Sequence, residues 1–329
     1  MNPTPPSTPE PSRVAVVLTS YNHQGFIEQC LESIAAQTRP GDQVIIIDDC
    51  STDASVDVID RWLAHTGNDY QFYRHTQNQG LPATLNEALA LIDCPYYIHI
   101  SSDDWEDTHR IERQLRAFEA ADHATAIVVG DIREVDVGGA TIVDHDFGLR
   151  LRNILASTTP SDQLSFLLSE NAIPAPGVML RTSAVRSVGG YDETLDFEDY
   201  DMWMRLTAEH LIGYSPGIVA NYRVIATSML RSPKRRVGFL TSEATMLAKH
   251  IGSSPSNDAT ITSRLLGIAR DLITLDDASA VRVVLGFAAR SSSQPWIDEA
   301  ILTTRHRDGL GRLVRAYGDR LGLQPAKVS

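Results

Sequence analysis

Tyr97-Ile98-His99-Ile100-Ser101-Ser102-Asp103-Asp104-Trp105 is the stretch on which the fold turns. An apolar run stops, and two adjacent carboxylates follow at once. A buried strand that ends in acidic residues delivers them to the carboxyl edge of a sheet, where open α/β sheets bind ligands. Neighbouring carboxylates repel each other unless a cation sits beside them. Mg2+ or Mn2+ shared with a phosphate ligand suits such an all-oxygen site. The competing reading is a polar strand-to-helix loop with Asp as an N-cap, and this segment alone does not separate the two.

The flanking sequence extends the pattern. Val14-Ala15-Val16-Val17-Leu18-Thr19 is a β-branched run fit for a buried strand, and Phe26–Gln37 places Ile27, Leu31 and Ile34 at helical spacing. After the breaker Arg39-Pro40-Gly41-Asp42 comes a second strand, Val44–Ile47, closed by Asp48-Asp49. A helix over Ser55–Ala64, a strand over Tyr70–His75, a helix over Leu81–Ile92 and the strand Tyr96–Ile100 follow. Short strands alternating with helices imply βαβ units and a parallel sheet with right-handed crossovers. Residues 13–130 thus read as a nucleotide-binding half. No G-x-G-x-x-G follows the first strand and no G-x-x-x-x-G-K-[ST] occurs, which disfavours dinucleotide dehydrogenases and P-loop enzymes. At the first two strand ends stand Thr19-Ser20-Tyr21-Asn22 and Asp48-Asp49-Cys50-Ser51-Thr52-Asp53. Each polar residue there can cap a helix or hold a base or ribose.

The composition is that of a globular chain: 329 residues, 43% hydrophobic and 22% charged. A net charge of -13 argues against nucleic acid as a partner, because phosphate contacts need basic patches. Cys30, Cys50 and Cys94 lack CxxC spacing and read as reduced thiols, neither a disulfide framework nor a zinc site. No apolar stretch reaches the roughly 18 residues that span a bilayer. Residues 1–12 are rich in Pro, Ser and Thr and read as a disordered leader without signal-peptide features. The expected location is cytoplasmic, with peripheral association at the inner face of the membrane as a further expectation.

In order along the chain, several segments resemble glycosyltransferase family 2, the inverting transferases of GT-A fold. They are Val16–Asn22, Ile45–Asp53, Asn78-Gln79-Gly80-Leu81 with Asn86, and Ser101–Asp104. Gly189-Gly190-Tyr191-Asp192-Glu193 and Glu198-Asp199-Tyr200-Asp201-Met202-Trp203-Met204-Arg205 complete the series. The resemblance covers about residues 13–225. It implies an α/β fold with a central, mostly parallel mixed sheet, and transfer of one sugar from a nucleotide-sugar, a UDP-sugar, to an acceptor hydroxyl. It places the donor against Thr19, Tyr21, Asp49, Asn78, Gly80 and Asp103. A Mn2+ or Mg2+ cofactor falls on Asp104, the general base on Asp199, and the acceptor near Glu198 and Trp203. Asp49 would accept from the uracil N3–H. Acidic residues in a first helical turn also favour the helix dipole, and a Trp at helical spacing also packs in a core, so Glu198, Asp201 and Trp203 have structural readings too. The chain departs from the family pattern at Ser101, where many members carry Asp, and at Ile225, where many carry His. Thr84-Leu85-Asn86 stands where Ala-Arg-Asn is frequent.

The acceptor half is expected over 131–236, with an irregular, mobile acceptor loop over 140–172. Ser232-Pro233-Lys234-Arg235-Arg236 reads as a solvated basic run or a diphosphate clamp. His99 reads as a core histidine, and His75 and His109 as surface positions. Beyond residue 237, apolar residues at i, i+3, i+4 predict a helical C-terminal domain (237–329), loosely like tetratricopeptide pairs. Dimerisation, acceptor docking or packing are its expected roles. Without long apolar helices or a Gln-x-x-Arg-Trp motif, single-sugar transfer is expected over processive synthesis, with a glycan, lipid-linked or peptide acceptor in surface polysaccharide or glycoconjugate synthesis. Two alternatives remain: a nucleotidyltransferase of related fold, and a non-catalytic nucleotide-sugar-binding module.

Overall fold

Seven consecutive buried residues form the first strand, β1 (Val14–Ser20), and a strand covered on both faces reads as this continuous apolar run. The computed structural model describes residues 13–157, 159–225, 235–292, 294–305 and 308–322. The leader at 1–12, Thr158 and Ser232–Lys234 of the basic run lie outside them. After β1 come α1 (Ile27–Ala35), β2 (Gln43–Asp48), α2 (Ser55–Thr66), β3 (Gln71–Arg74), α3 (Leu81–Leu91) and β4 (Tyr96–Ser101). They are followed by β5 (Trp105–Glu106), α4 (Arg110–Ala120), β6 (Thr125–Val135), β7 (Thr141–His145), α5 (Phe147–Arg150), α6 (Arg152–Leu155) and α7 (Pro160–Ser169). β8 (Val178–Arg181), α8 (Thr182–Ser187), α9 (Asp199–Thr207) and β9 (Leu211–Arg223) complete the α/β part.

The described strands form one mixed sheet in the order β3-β2-β1-β4-β8-β6-β9-β5, with β7 paired to β6. β1 runs parallel to β2 and β4, in register Ser20↔Asp48 and Thr19↔Ser101. The polar ends of three strands therefore meet at one edge, because the three run parallel and in register. β8 enters antiparallel between β4 and β6, while β9 lies parallel to β6. Val16, Leu18, Ile98 and Ile100 on the sheet pack with Ile27, Leu31, Ile111 and Leu115 from the helices. Each such burial contributes about 1.5–3 kcal/mol, which fixes the strand register.

The segment over 140–172, expected to be an irregular and mobile loop, contains β7 and the short helices α5, α6 and α7. Phe147, Leu151 and Ile154 recur at helical spacing and are buried, a signal that the breaker at 157–160 obscured.

Behind β5, Arg110 is wholly buried. Its guanidinium reaches Glu106 at 3.4 Å, donates to the Val178 carbonyl at 2.9 Å and donates to Gln114 Oε1 at 3.2 Å. Removing one member of a buried pair strands the other charge. Arg110→Leu is expected to destabilise the protein by about 3 kcal/mol, read as a lower urea midpoint with an unchanged denaturant slope.

The described residues fall into two compact units, one drawn from 13–164, 172–193 and 198–225 and the other from 165–171, 194–197 and 235–322. The second holds α10 (Arg236–Ala248), α11 (Pro255–Thr274), α12 (Ala278–Ser291), α13 (Pro295–Thr303) and α14 (Gly309–Tyr317), each packed on a helix adjacent in sequence. Ser254 caps α11 by accepting from the Asn257 N–H, with Pro255 in the first turn, and Asp277 caps α12 through the Ser279 and Ala280 N–H groups. Arg236 of the basic run pairs with Asp271 at 3.5 Å. No helix among the described residues is long and apolar enough to cross a membrane.

Candidate active site

At the β1 and β2 ends the expected donor residues divide into two groups. Asn22 takes a positive φ of 58°, and its side-chain oxygen accepts from the Thr52 N–H at 2.7 Å, which staples the two loops. Asp48 is 1% exposed and accepts from the Ser51 N–H and hydroxyl. Asp49 accepts from Gln79 N–H at 2.7 Å and His75 Nδ1 at 2.8 Å on Oδ1, and from Gly80 N–H at 2.9 Å on Oδ2. Asn78 donates to the Asp49 carbonyl at 3.2 Å. Asp49, Asn78 and Gly80 thus form one hydrogen-bonded cluster. Tyr21, 45% exposed, stands on the loop after β1. Thr19 is buried, and its hydroxyl lies 2.8 Å from His99 Nε2.

His75 departs from its expected surface position. Its side chain is 5% exposed, held by Asp49 on one nitrogen and by Glu87 of α3 at 2.9 Å on the other. Burial alone would lower its pKa; the hydrogen bonds to the two carboxylates outweigh burial and raise it.

The paired carboxylates occupy the turn between β4 and β5. Asp103 Oδ1 accepts from Ser101 Oγ at 2.6 Å and lies 3.7 Å from His23 Nδ1, with 14% of its side chain exposed. Asp104 is 3% exposed and accepts from the Arg223 N–H at 2.8 Å. Burial, then the neighbouring Asp103, push its carboxyl well above the usual range. Arg223 locks this turn. Its guanidinium stacks between Phe26 and Trp105 and donates to the Asp103 carbonyl at 2.8 Å and to Gln29 at 2.6 Å. Nothing in residue spacing marks this arginine, since its partners come from three distant segments.

A pocket opens where β4 meets the start of α9, lined by His99, Leu85, Tyr191, Glu198, Asp199 and Trp203 among others. Its frame comes from the paired glycines. Gly189 and Gly190 take φ of 87° and 74°, and a Cβ on Gly190 would sit 2.6 Å from Asn86 Oδ1. Asn86 grips the turn by accepting from the Tyr191 N–H at 2.8 Å and donating to the Tyr191 carbonyl at 2.9 Å. Arg205 donates to the Val188 and Gly190 carbonyls, both at 2.7 Å, and pairs with Asp201 at 2.7 Å. Asp201 is 1% exposed and serves this clamp.

Inside the pocket, burial followed by the neighbouring Asp199 raises Glu198 to about 8. Asp199 is raised too, chiefly by burial, against the Tyr200 N–H that it accepts from at 2.6 Å. His99 is lowered to about 4 by burial and then by the Arg110 charge, so it is neutral near pH 7. The Trp203 Nε1–H is buried and has no hydrogen-bond partner among the described residues. Trp203 is therefore a core residue by burial and a pocket wall by position.

Of the expected site residues, the pocket gathers Glu198, Asp199 and Trp203, and reaches Thr19 through His99. Asp103 and Asp104 stand apart from its walls. Among the described residues, no group of three or more His, Cys, Asp and Glu side chains is arranged to hold a metal. The donor set at the β4–β5 turn is two carboxylates. That set fits a hard divalent cation completed by phosphate and water oxygens, as Mg2+ is often bound.

Residues 15–178 match the family model described as glycosyl transferase family 2. A Bacillus subtilis protein bearing the glycosyltransferase name EpsE is 28% identical over 213 residues, 62% of this chain and 69% of that one. The structure of S. aureus TarS 1-349 in complex with UDP-GlcNAc superposes with a TM-score of 0.67 at 15% identity, covering 94% of this chain and 92% of that one. The mannosyltransferase PcManGT of Pyrobaculum calidifontis, in complex with GDP-Man and Mn2+, gives 0.57 at 18% identity, over 94% and 87%. These likenesses establish the GT-A fold.

Proposed function

Because residues 15–178 match the model of glycosyl transferase family 2, we propose that the protein moves one sugar from a UDP-sugar to an acceptor hydroxyl, with inversion at the anomeric carbon. The observation that carries the reading is the pocket whose lining includes both Asp199 and His99, the residue joined to Thr19 at the end of β1. Asp199 takes the proton of the acceptor hydroxyl. The freed oxygen forms its bond to the anomeric carbon on the face opposite the diphosphate. The carbon–oxygen bond to the diphosphate breaks, and UDP leaves with the electron pair. A single base and no covalent intermediate suffice for inversion, and holding both substrates in line supplies much of the rate. Trp203 offers its indole N–H to an acceptor oxygen, and Glu198 borders the same space.

Asp49 has about four accepting positions, of which three are filled by protein donors. The one left on Oδ2 is our choice for the uracil N3–H. Tyr21, Asn78 and Gly80 border the same ligand. Asp103, the more accessible of the pair, would hold Mn2+ or Mg2+ with Asp104 close behind it, and a bound cation there would offset the charge of the leaving diphosphate. The UDP-GlcNAc and Mn2+ held by the neighbours of like fold support this assignment.

The helical segment from about residue 237 we regard as a separate domain that docks the acceptor or joins two copies of the chain. We place the protein in the cytoplasm, at the inner face of the membrane, with an acceptor of surface polysaccharide or glycoconjugate synthesis. Calorimetric titration of UDP is expected to show binding that tightens in Mn2+. Absence of binding in both conditions overturns the donor assignment.

A further inference from the structure

Glu87, His75 and Asp49 form a continuous acid–imidazole–acid bridge that ends on the backbone of the donor loop. Imidazole Nε2 lies 2.9 Å from Glu87 Oε2, and Nδ1 lies 2.8 Å from Asp49 Oδ1. The same Asp49 carboxylate then accepts the Gln79 and Gly80 N–H groups, the entry to α3. A neutral imidazole donates from one nitrogen only, whereas an imidazolium donates from both. Carboxylate oxygens at hydrogen-bond distance on both sides therefore select the imidazolium. The bridge is rigid at its centre, since His75 is 5% exposed, and its own N–H donates to the Asp48 carbonyl at 2.9 Å. The groups facing the ring are Asp49 from the loop after β2 and Glu87 from α3. The adjacent Arg74 is paired with Asp60 of α2.

We propose that His75, as a doubly hydrogen-bonded cation, is a positioning residue that holds the Asp49 carboxylate and the Gln79-Gly80 backbone in the geometry that receives the donor's base. The inference rests on the assignment of Asp49 to the uracil. Losing one ring proton leaves one carboxylate facing a bare nitrogen, and the bridge opens at one end. His75 has its pKa raised in the fold, so its stabilisation is complete below the unfolded value of about 6.5 and fades as pH rises through the folded value. UDP affinity falls in that window. Glu87 reaches Asp49 only through the ring, so it tunes the bridge at a distance.

The test begins without ligand. In the free protein, amide exchange at Gln79 and Gly80 and the His75 ring signals are followed by NMR from pH 5.5 to 9. UDP is then titrated over the same range. His75→Gln is expected to speed exchange at both amides about tenfold, weaken UDP about tenfold and flatten its pH dependence, with kcat changed under twofold. Glu87→Gln, at a half-exposed site that tolerates the change, is expected to move the His75 titration and the UDP affinity limb together to lower pH. Unaltered exchange and UDP affinity in His75→Gln would overturn the proposal. A wild-type protein with protected amides and a raised His75 titration that binds no UDP would overturn the uracil assignment, and with it the bridge's link to the donor.

Discussion

Asp199→Asn is expected to lower kcat by about 10³-fold or more, within the range for loss of a positioned general base, while UDP affinity stays within about twofold. The substitution is nearly isosteric. The Tyr200 N–H that Asp199 accepts at 2.6 Å can bond to the amide oxygen equally well, so the start of α9 keeps its geometry. What disappears is the capacity to take the acceptor proton. The pH profile gives a second reading. Asp199 is raised by burial and is coupled to Glu198, which burial and then Asp199 raise to about 8. The base works only when deprotonated. The acid limb of kcat is therefore expected above the usual carboxylate range. Glu198, raised to about 8, is already protonated where Asp199 titrates, so Glu198→Gln is expected to leave that limb in place. Rates measured from pH 5 to 9 on the wild type and both variants check this. Full activity in Asp199→Asn would remove it from the role of base.

The reach of the sequence depended on whether a residue's partner lay nearby in the chain. Strand β1, strand β4 and helix α1 were legible because burial on one or both faces leaves a period in local sequence. The glycine pair at 189–190 was legible as a turn, since its positive φ is a local demand; Asn86 was legible as a motif residue, but its grip on that turn was not. His75 was misplaced on the surface because its partners come from separate elements, the loop after β2 and helix α3. His99 was read as core for the same reason: its strand position was visible, its pocket was not. Arg223 was visible only as part of the stretch that ends in Ile225 and was given no role, as neither Phe26 nor Trp105 announces a cation between them. Local periodicity reports burial, and it is silent on which long-range partner a polar side chain will meet.

The two carboxylates of the β4–β5 turn are expected to separate under mutation. By sequence pattern Asp104 is the metal ligand and Asp103 faces the donor, yet the accessible side chain is Asp103, 14% exposed, while Asp104 is 3% exposed and spends one oxygen on the Arg223 N–H. A cation shared with a diphosphate must reach solvent-side oxygens. Asp103→Asn is therefore expected to abolish the gain in UDP affinity that Mn2+ supplies, a loss on the order of 100-fold given the several kcal/mol such a charge is worth. UDP binding without metal should persist, since the Asp49 cluster lies at a different strand end. In Asp104→Asn the amide oxygen still accepts from Arg223, so the turn survives, and the Mn2+ gain is expected to shrink by only about tenfold through loss of one nearby charge. Titrations of UDP into both variants, with and without Mn2+, decide between the two assignments. A larger loss in Asp104→Asn than in Asp103→Asn would return the metal to Asp104 and would require the buried carboxylate to turn outward when the donor binds.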